Sequence, residues 1–222
     1  MQAAGVVGFA ISADGSRVVY AADQDVNNVT ELYSVQTGEE PIRLNGSLVG
    51  GQNVQAAWIA PDGLTVAYVA DQDTPGVYEL YSVPIDGSAA PTKISGTMTF
   101  NGDVNQGRDE VQIRQDSWLV VYMADQDYDG IVELYSTPID GSAAPIKLNG
   151  TLAPGGDVES DFQFALDGAA VVYRADQSVP DVIELLRVPV LGGDPTRLSL
   201  NPVEGGNVES FSVSPPALDQ FS

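Results

Sequence analysis

Apolar residues in this chain fall in short continuous runs separated by turn residues. Four runs, VVYAAD, VAYVAD, VVYMAD and VVYRAD, are each followed by a second one: ELYSV, ELYSV, ELYST and ELLRV. Valine, tyrosine, leucine and isoleucine dominate them, which predicts strands. They do not alternate apolar with polar, as a strand with one solvated face would. A sheet covered on both faces fits them better. Ahead of each pair lies a shorter apolar stretch that ends in a turn: FAISADG, AAWIAPDG, VQIRQDS and FQFALDG. Asp-Gly at such a point favours a hairpin. Behind each pair comes EEPIRLNG, SAAPTKISG, SAAPIKLNG or GDPTRLSL. Proline is excluded from a central ladder but tolerated where a strand begins, so these tails predict a short fourth strand.

The unit therefore has four strands, and it recurs. Its first aspartates are Asp23, Asp71, Asp125 and Asp176, a period of about 50 residues. The units occupy residues 5–48, 52–98, 108–150 and 156–200, joined by glycine-rich connectors such as LVGGQN and LAPGGD. Such units bury both faces only by stacking side by side. The expectation is an all-β fold, a β-propeller of about four four-stranded blades in a single domain over residues 1–222, plus one extra strand at the C-terminus. That extra strand is GGNVESFSVSPPA, residues 205–217, a first-strand copy with no second, third or fourth strand after it. Three readings compete for it. It begins further blades in a longer chain, it closes the ring against the first blade, or it adds a strand to another copy of the protein. A longer spacing between the second and third units points to an inserted surface loop, Phe100 to Gln112, a candidate partner contact.

These motifs resemble the TolB-like, WD-like β-propeller repeat. ISADG (Ile11 to Gly15) and IAPDG (Ile59 to Gly63) match its S-P-D-G turn, and ELY at Glu31, Glu79 and Glu133 matches the start of its third strand. The resemblance implies a propeller, an extracellular, cell-surface or periplasmic location, and protein–protein contacts. It supplies no catalytic residue, and propellers serve scaffolds, receptors and enzymes alike. A fragment of a larger TolB-like protein is the alternative reading.

The hairpin between the second and third strands carries the most suggestive chemistry. In the third unit it reads DQDYDGIVE, with Asp125, Asp127 and Asp129 at alternating positions before Gly130, then Glu133. With the carbonyl of Ile131, these oxygens could supply most of the six to eight that calcium requires. The loop resembles the D-x-D-x-D-G loops of integrin-type calcium-binding propellers. The first unit keeps Asp23, Asp25, Asn27 and Glu31. The second keeps Asp71, Asp73 and Glu79 around Pro75, and the fourth has Asp176 and Glu184 with Ser178 and Pro180 between them. Calcium affinity is expected to fall in the order third, first, second, fourth. Against this stands the ordinary role of Asp, Asn and Gly in turns, where they bond their own backbone.

Composition narrows the function. The chain has 31 acidic and 9 basic residues, a formal net charge of -22, which repels nucleic acid and anionic lipid. Cysteine and histidine are absent, which removes Cys/His zinc sites, thiol nucleophiles and His-dependent triads. The N-terminal MQAAGVVGFAIS has neither the basic region of a signal peptide nor the length of a membrane span. Tyr20, Tyr68, Tyr122 and Tyr173, with Tyr33, Tyr81 and Tyr135, recur in register and suit packing between blades better than sugar stacking. Trp58 and Trp118 sit on different strands of their units and form no shared platform. Paired carboxylates could serve glycoside hydrolysis, yet here they repeat in every unit, whereas an active site is unique. The expected function is non-catalytic protein binding or self-assembly through the C-terminal strand, with calcium as the candidate cofactor, no nucleic-acid partner and no membrane insertion.

Overall fold

The computed structural model describes residues 6–105, 110–200 and 206–213, and every regular element among them is a strand. Blade one contains β1 (Val6–Ile11), β2 (Arg17–Ala22), β3 (Glu31–Gln36) and β4 (Ile42–Arg43). Blade two contains β5 (Val54–Ile59), β6 (Thr65–Ala70), β7 (Glu79–Pro84) and β8 (Thr92–Lys93). Blade three contains β9 (Val111–Ile113), β10 (Leu119–Ala124), β11 (Glu133–Pro138) and β12 (Ile146–Lys147). Blade four contains β13 (Val158–Phe164), β14 (Ala170–Ala175), β15 (Glu184–Pro189) and β16 (Thr196–Arg197). Each blade is an antiparallel meander whose strands pair in chain order. The molecule is an all-β propeller.

The first hairpin of each blade forms for the reason its sequence suggests. The N–H of Gly15, Gly63 and Gly168 donates to the carbonyl three residues earlier, at Ser12, Ala60 and Ala165, each at 2.8 Å. These glycines take positive φ of 72°, 73° and 64°, which costs a residue without a Cβ little. Blade three places Ser117 there, at φ 60°. The Ser117 hydroxyl in turn accepts the Asp62 N–H of blade two at 2.8 Å, which offsets part of the strain.

Packing between blades follows the unbroken apolar runs. All six residues of β10 are buried. Val66, Tyr68 and Ala70 of blade two share a buried cluster with Val19, Leu32 and Leu44 of blade one. Val120, Tyr122 and Ala124 join Ala67, Val69, Leu80 and Ile94 in the same way. Val171, Tyr173 and Ala175 join Val121, Met123, Leu134 and Leu148. One face of blades two, three and four thus beds on the opposite face of the blade before it, and the same three second-strand positions are used each time.

Two expectations are revised by the structure. The additional residues of blade three do not start at Phe100. Thr99–Gly102 closes the same turn as Val49–Gln52 and Ala153–Gly156, each through a backbone N–H···O bond of 2.8–3.0 Å. Val104 then bridges Ala124, as Val54 pairs with Ala70, and is fully buried. The insertion therefore lies between Val104 and Val111, and residues 106–109 fall outside the described part. The second revision concerns the C-terminal copy. Residues 206–213 enter no ladder. The segment docks on blade four instead, with the Val208 N–H donating to the Ile183 carbonyl at 2.9 Å. Residues 205 and 214–217 lie outside the described part.

Candidate functional site

The repeated carboxylates hold the blades together. Asp71 Oδ1 accepts the Asn53 N–H at 2.7 Å and its Oδ2 accepts the Gly76 N–H at 2.9 Å. Asp125 does the same for Asp103 at 2.6 Å and Gly130 at 2.9 Å. Asp176 does it for Asp157 at 2.6 Å and Asp181 at 3.4 Å. One carboxylate therefore pins the tip of its own hairpin and the start of its own first strand.

That first-strand start then reaches the preceding blade. Asn53 Oδ1 accepts the Thr30 N–H at 2.8 Å, and Val54 N–H donates to the Thr30 carbonyl at 2.8 Å. Asp103 and Val104 grip Tyr78, and Asp157 and Val158 grip Val132, with the same two bonds. Asn207 and Val208 repeat the clasp on Ile183. Burial holds the Asp103 carboxyl above its ordinary range, against the lowering effect of the Tyr78 N–H.

The glutamine after each anchor makes a second contact across the junction. Gln72 Oε1 accepts the Gly46 N–H at 3.1 Å and the Tyr68 hydroxyl at 2.8 Å. Gln126 accepts from Gly96 at 2.9 Å and Tyr122 at 2.8 Å. Gln177 accepts from Gly150 at 3.0 Å and Tyr173 at 2.9 Å. A Cβ on Gly46 would stand 3.1 Å from the Gln72 amide nitrogen, and one on Gly150 would stand 2.8 Å from that of Gln177. Close approach of the next blade is what requires glycine here. Sequence reading passed over these residues. The signal was present: glutamine follows the first aspartate in all four units, whereas the second aspartate is lost to Ser178 in the fourth.

The glutamates at the head of each third strand are also engaged. Glu31 Oε1 receives Arg43 at 2.9 Å and its Oε2 receives the Tyr33 hydroxyl at 2.8 Å. Lys93 and Tyr81 serve Glu79, and Lys147 and Tyr135 serve Glu133, at 2.8 and 2.9 Å in both blades. In blade four Leu186 replaces the tyrosine, and Glu184 Oε2 accepts the Ser178 N–H at 2.7 Å while Arg197 keeps the other oxygen at 2.9 Å. Tyr33, Tyr81 and Tyr135 stack on Tyr20, Tyr68 and Tyr122 with ring centroids 5.4 Å apart.

The residues expected to ligate calcium are engaged by other donors, and where two of them converge, Asp127 with Glu133 and Asp73 with Glu79, a lysine ammonium stands between them. Asp125 faces backbone N–H groups, Asp127 pairs with Lys147 at 2.7 Å, and Asp129 accepts the Asn101 amide at 3.2 Å. Ile131 donates its N–H to the Tyr128 carbonyl at 3.0 Å, closing the turn. Asp73 lies 4.0 Å from Lys93, while Asp25 and Asn27 are exposed on the first hairpin. Among the described residues no three acidic side chains gather where a metal ion could sit. With Glu31, Glu79 and Glu133 ion-paired and buried, the arrangement does not fit a calcium cage as it stands.

No protein-family model matches the sequence, and a comparison with curated proteins returns no match. Solved structures do share the fold. One described as TolB from Agrobacterium tumefaciens has a TM-score of 0.50 at 18% identity, over 86% of this chain and 64% of that one. A puromycin-hydrolyzing peptidase of Mycobacterium tuberculosis gives 0.56 at 16% identity, over 87% and 28%. TolB of Acinetobacter baumannii gives 0.50 at 12% identity, over 90% and 44%. The chain spans less than two thirds of each of these proteins, and the likeness is one of fold.

Proposed function

We propose that this chain is a non-catalytic protein-interaction propeller, extracellular or periplasmic in location. One observation carries the first half of that reading. Asp71, Asp125 and Asp176 of the hairpins and Glu31, Glu79, Glu133 and Glu184 of the third strands, which could have served as nucleophile, acid or base, are occupied as framework, each with named donors in its own blade. Hydrolytic carboxylates need a separation and a freedom that ion-paired, buried glutamates lack. The location rests on the resemblance of the ISADG and IAPDG turns and the ELY strands to the TolB-like repeat. Binding follows from the apolar ends of the blade array, where Phe9 and Ile11 are 72% and 58% exposed.

The test is affinity capture with the wild-type chain and with Phe9→Asp/Ile11→Asp, each checked for unchanged circular dichroism. A protein retained by the first and lost by the second supports the reading. Turnover on panels of peptide and glycoside substrates would overturn it. Calcium stabilisation of the third hairpin would require Lys147 to leave Asp127, and Asn101 to leave Asp129. Self-assembly through the C-terminal segment is a second reading, favoured by its first-strand sequence.

A further inference from the structure

In an antiparallel meander the first and third turns leave the same end of the blade, opposite the hairpins that carry Asp71, Asp125 and Asp176. Aspartates cap the turns at this end. Asp14, Asp62, Asp116 and Asp167 each accept the N–H two residues on, at Ser16, Leu64, Trp118 and Ala169, over 2.9–3.2 Å. Asp86 and Asp140 do the same for Ser88 and Ser142 at 3.0 and 2.9 Å. All six are exposed. Hydrogen bonds from Ser16, Ser88 and Ser142 hold Asp14, Asp86 and Asp140 below the ordinary carboxylate range, so they stay charged in mild acid.

Four large apolar side chains stand among these carboxylates. Leu64 is 67% exposed, Trp118 45%, Leu166 59% and Leu191 60%. Named contacts join them into one row. The Asp62 N–H donates to Ser117 Oγ at 2.8 Å, which sets the Leu64 turn against the Trp118 turn. The Arg114 guanidinium lies 5.4 Å from the Trp118 ring centre and grips Asp116 with two bonds of 2.9 and 2.6 Å. Arg114 thus braces the tryptophan while its own charge is spent on Asp116. A Cβ on Gly168 would stand 3.2 Å from the Arg114 side chain, so the Leu166 turn comes next. The Val190 N–H donates to the Ala169 carbonyl at 3.1 Å, which brings Leu191 alongside.

Neither packing nor turn formation accounts for this row. Leu64 and Trp118 stay exposed although blades three and four follow them. Gln115 and Asp140, which hold in blade three the places of Leu166 and Leu191, are exposed beside blade four. A further blade would therefore leave Leu166 and Leu191 open too. The turn does not require large apolar residues, since blade one folds with Ala13 and Ser16 at the matching places. Exposed apolar residues gathered in one patch mark a contact surface, with tryptophan the favoured anchor. Leu64, Trp118 and Leu166 each stand within two residues of an exposed aspartate. An acidic visitor would be repelled there, and an uncharged one would strip water from carboxylates without replacing it.

We infer that this end of blades two, three and four docks a basic amphipathic segment of a protein partner. Its apolar side chains lie on Leu64, Trp118, Leu166 and Leu191, and its lysines or arginines meet Asp62, Asp140 and Asp167. The inference rests on the protein-binding reading and deepens it, naming one surface and the chemistry of its visitor.

The probe is a fluorescent leucine/lysine peptide of amphipathic helical spacing, titrated with the full chain at about 0.15 M salt and read by anisotropy. Serine/lysine and leucine/glutamate peptides of equal length are the controls. The leucine/lysine peptide should bind at least about tenfold more tightly than either. Trp118→Ser/Leu166→Ser/Leu191→Ser keeps every charge and should lose about tenfold in affinity. Asp62→Asn/Asp140→Asn/Asp167→Asn, whose amide oxygens still cap the turns, should lose as much. The replaced side chains are exposed, so both variants should keep the wild-type circular dichroism. Undiminished binding by the serine variant would mean that the acidic charge at large attracts the peptide, and the inference falls. It falls equally if the leucine/glutamate peptide binds as well, or if the leucine/lysine peptide does not exceed the serine/lysine one. Affinity capture probes Phe9 and Ile11 instead, so each reading can fail without the other.

Discussion

Gln126 receives the Gly96 N–H across the junction of blades two and three through its side-chain oxygen, at 2.9 Å. The same oxygen accepts the buried Tyr122 hydroxyl. Gly96→Ala should therefore destabilise by about 1–3 kcal/mol, the usual cost of forcing carbon into a filled site. Gln126→Ala removes the obstacle but strands two donors at about 1–3 kcal/mol each. In urea unfolding the double variant should be more stable than the sum of the two predicts; simple additivity would contradict the contact.

Asp125 holds two backbone N–H groups, and Asp127 holds one half-exposed lysine. Asp125→Ala should cost about 2–4 kcal/mol, while Asp127→Ala should stay within about 1 kcal/mol. A calcium cage would make both variants comparably harmful in calcium and would raise the wild-type melting temperature above its value in chelator. Scanning calorimetry of all three chains in calcium and in chelator decides it, with equal melting temperatures in the two buffers as the expected result.

Glu133 sits nearly buried between Lys147 and the Tyr135 hydroxyl. Lys147→Met leaves a carboxylate without its counter-charge and should cost about 2 kcal/mol or more, whereas Glu133→Gln leaves a partly exposed lysine that water can solvate. Chemical denaturation at neutral pH should rank Lys147→Met as the more damaging change. The reverse ranking would mean that the pair is not held by the carboxylate's burial.

Six tyrosines, Tyr33, Tyr68, Tyr81, Tyr122, Tyr135 and Tyr173, have phenol pKa values raised by burial, and the neighbouring Glu31, Glu79 and Glu133 add to the effect in three of them. Their protons are held more tightly folded than unfolded. The stability this represents is fully present below the ordinary value of 10.0 and is lost as pH rises above it. A steep alkaline unfolding transition is expected, with ultraviolet tyrosinate absorbance appearing together with the loss of strand signal. Tyrosinate that forms before unfolding would contradict the burial.

The strand pattern was legible because both faces of a blade are covered, so β6, β10 and β14 read as unbroken apolar runs; the Asp-Gly turns and the prolines ahead of the fourth strands then set the ends. The hairpin acids were legible as a constellation but not as an arrangement. Alternating carboxylates in a loop can converge on a cation or diverge to backbone donors, and spacing alone does not distinguish them. Asp125 turned to Asp103 and Gly130 because its own blade's clasp on the blade before needs an acceptor there, a demand that arises only once blades stack.

The outermost strands, β4, β8, β12 and β16, are two residues long, and each carries a lysine or arginine that folds back on a glutamate of its own blade. A rim so short and so charged gives a foreign strand almost nothing to zip onto. Clumping by sheet extension is thereby suppressed around the whole circumference, even in concentrated solution or on gentle heating.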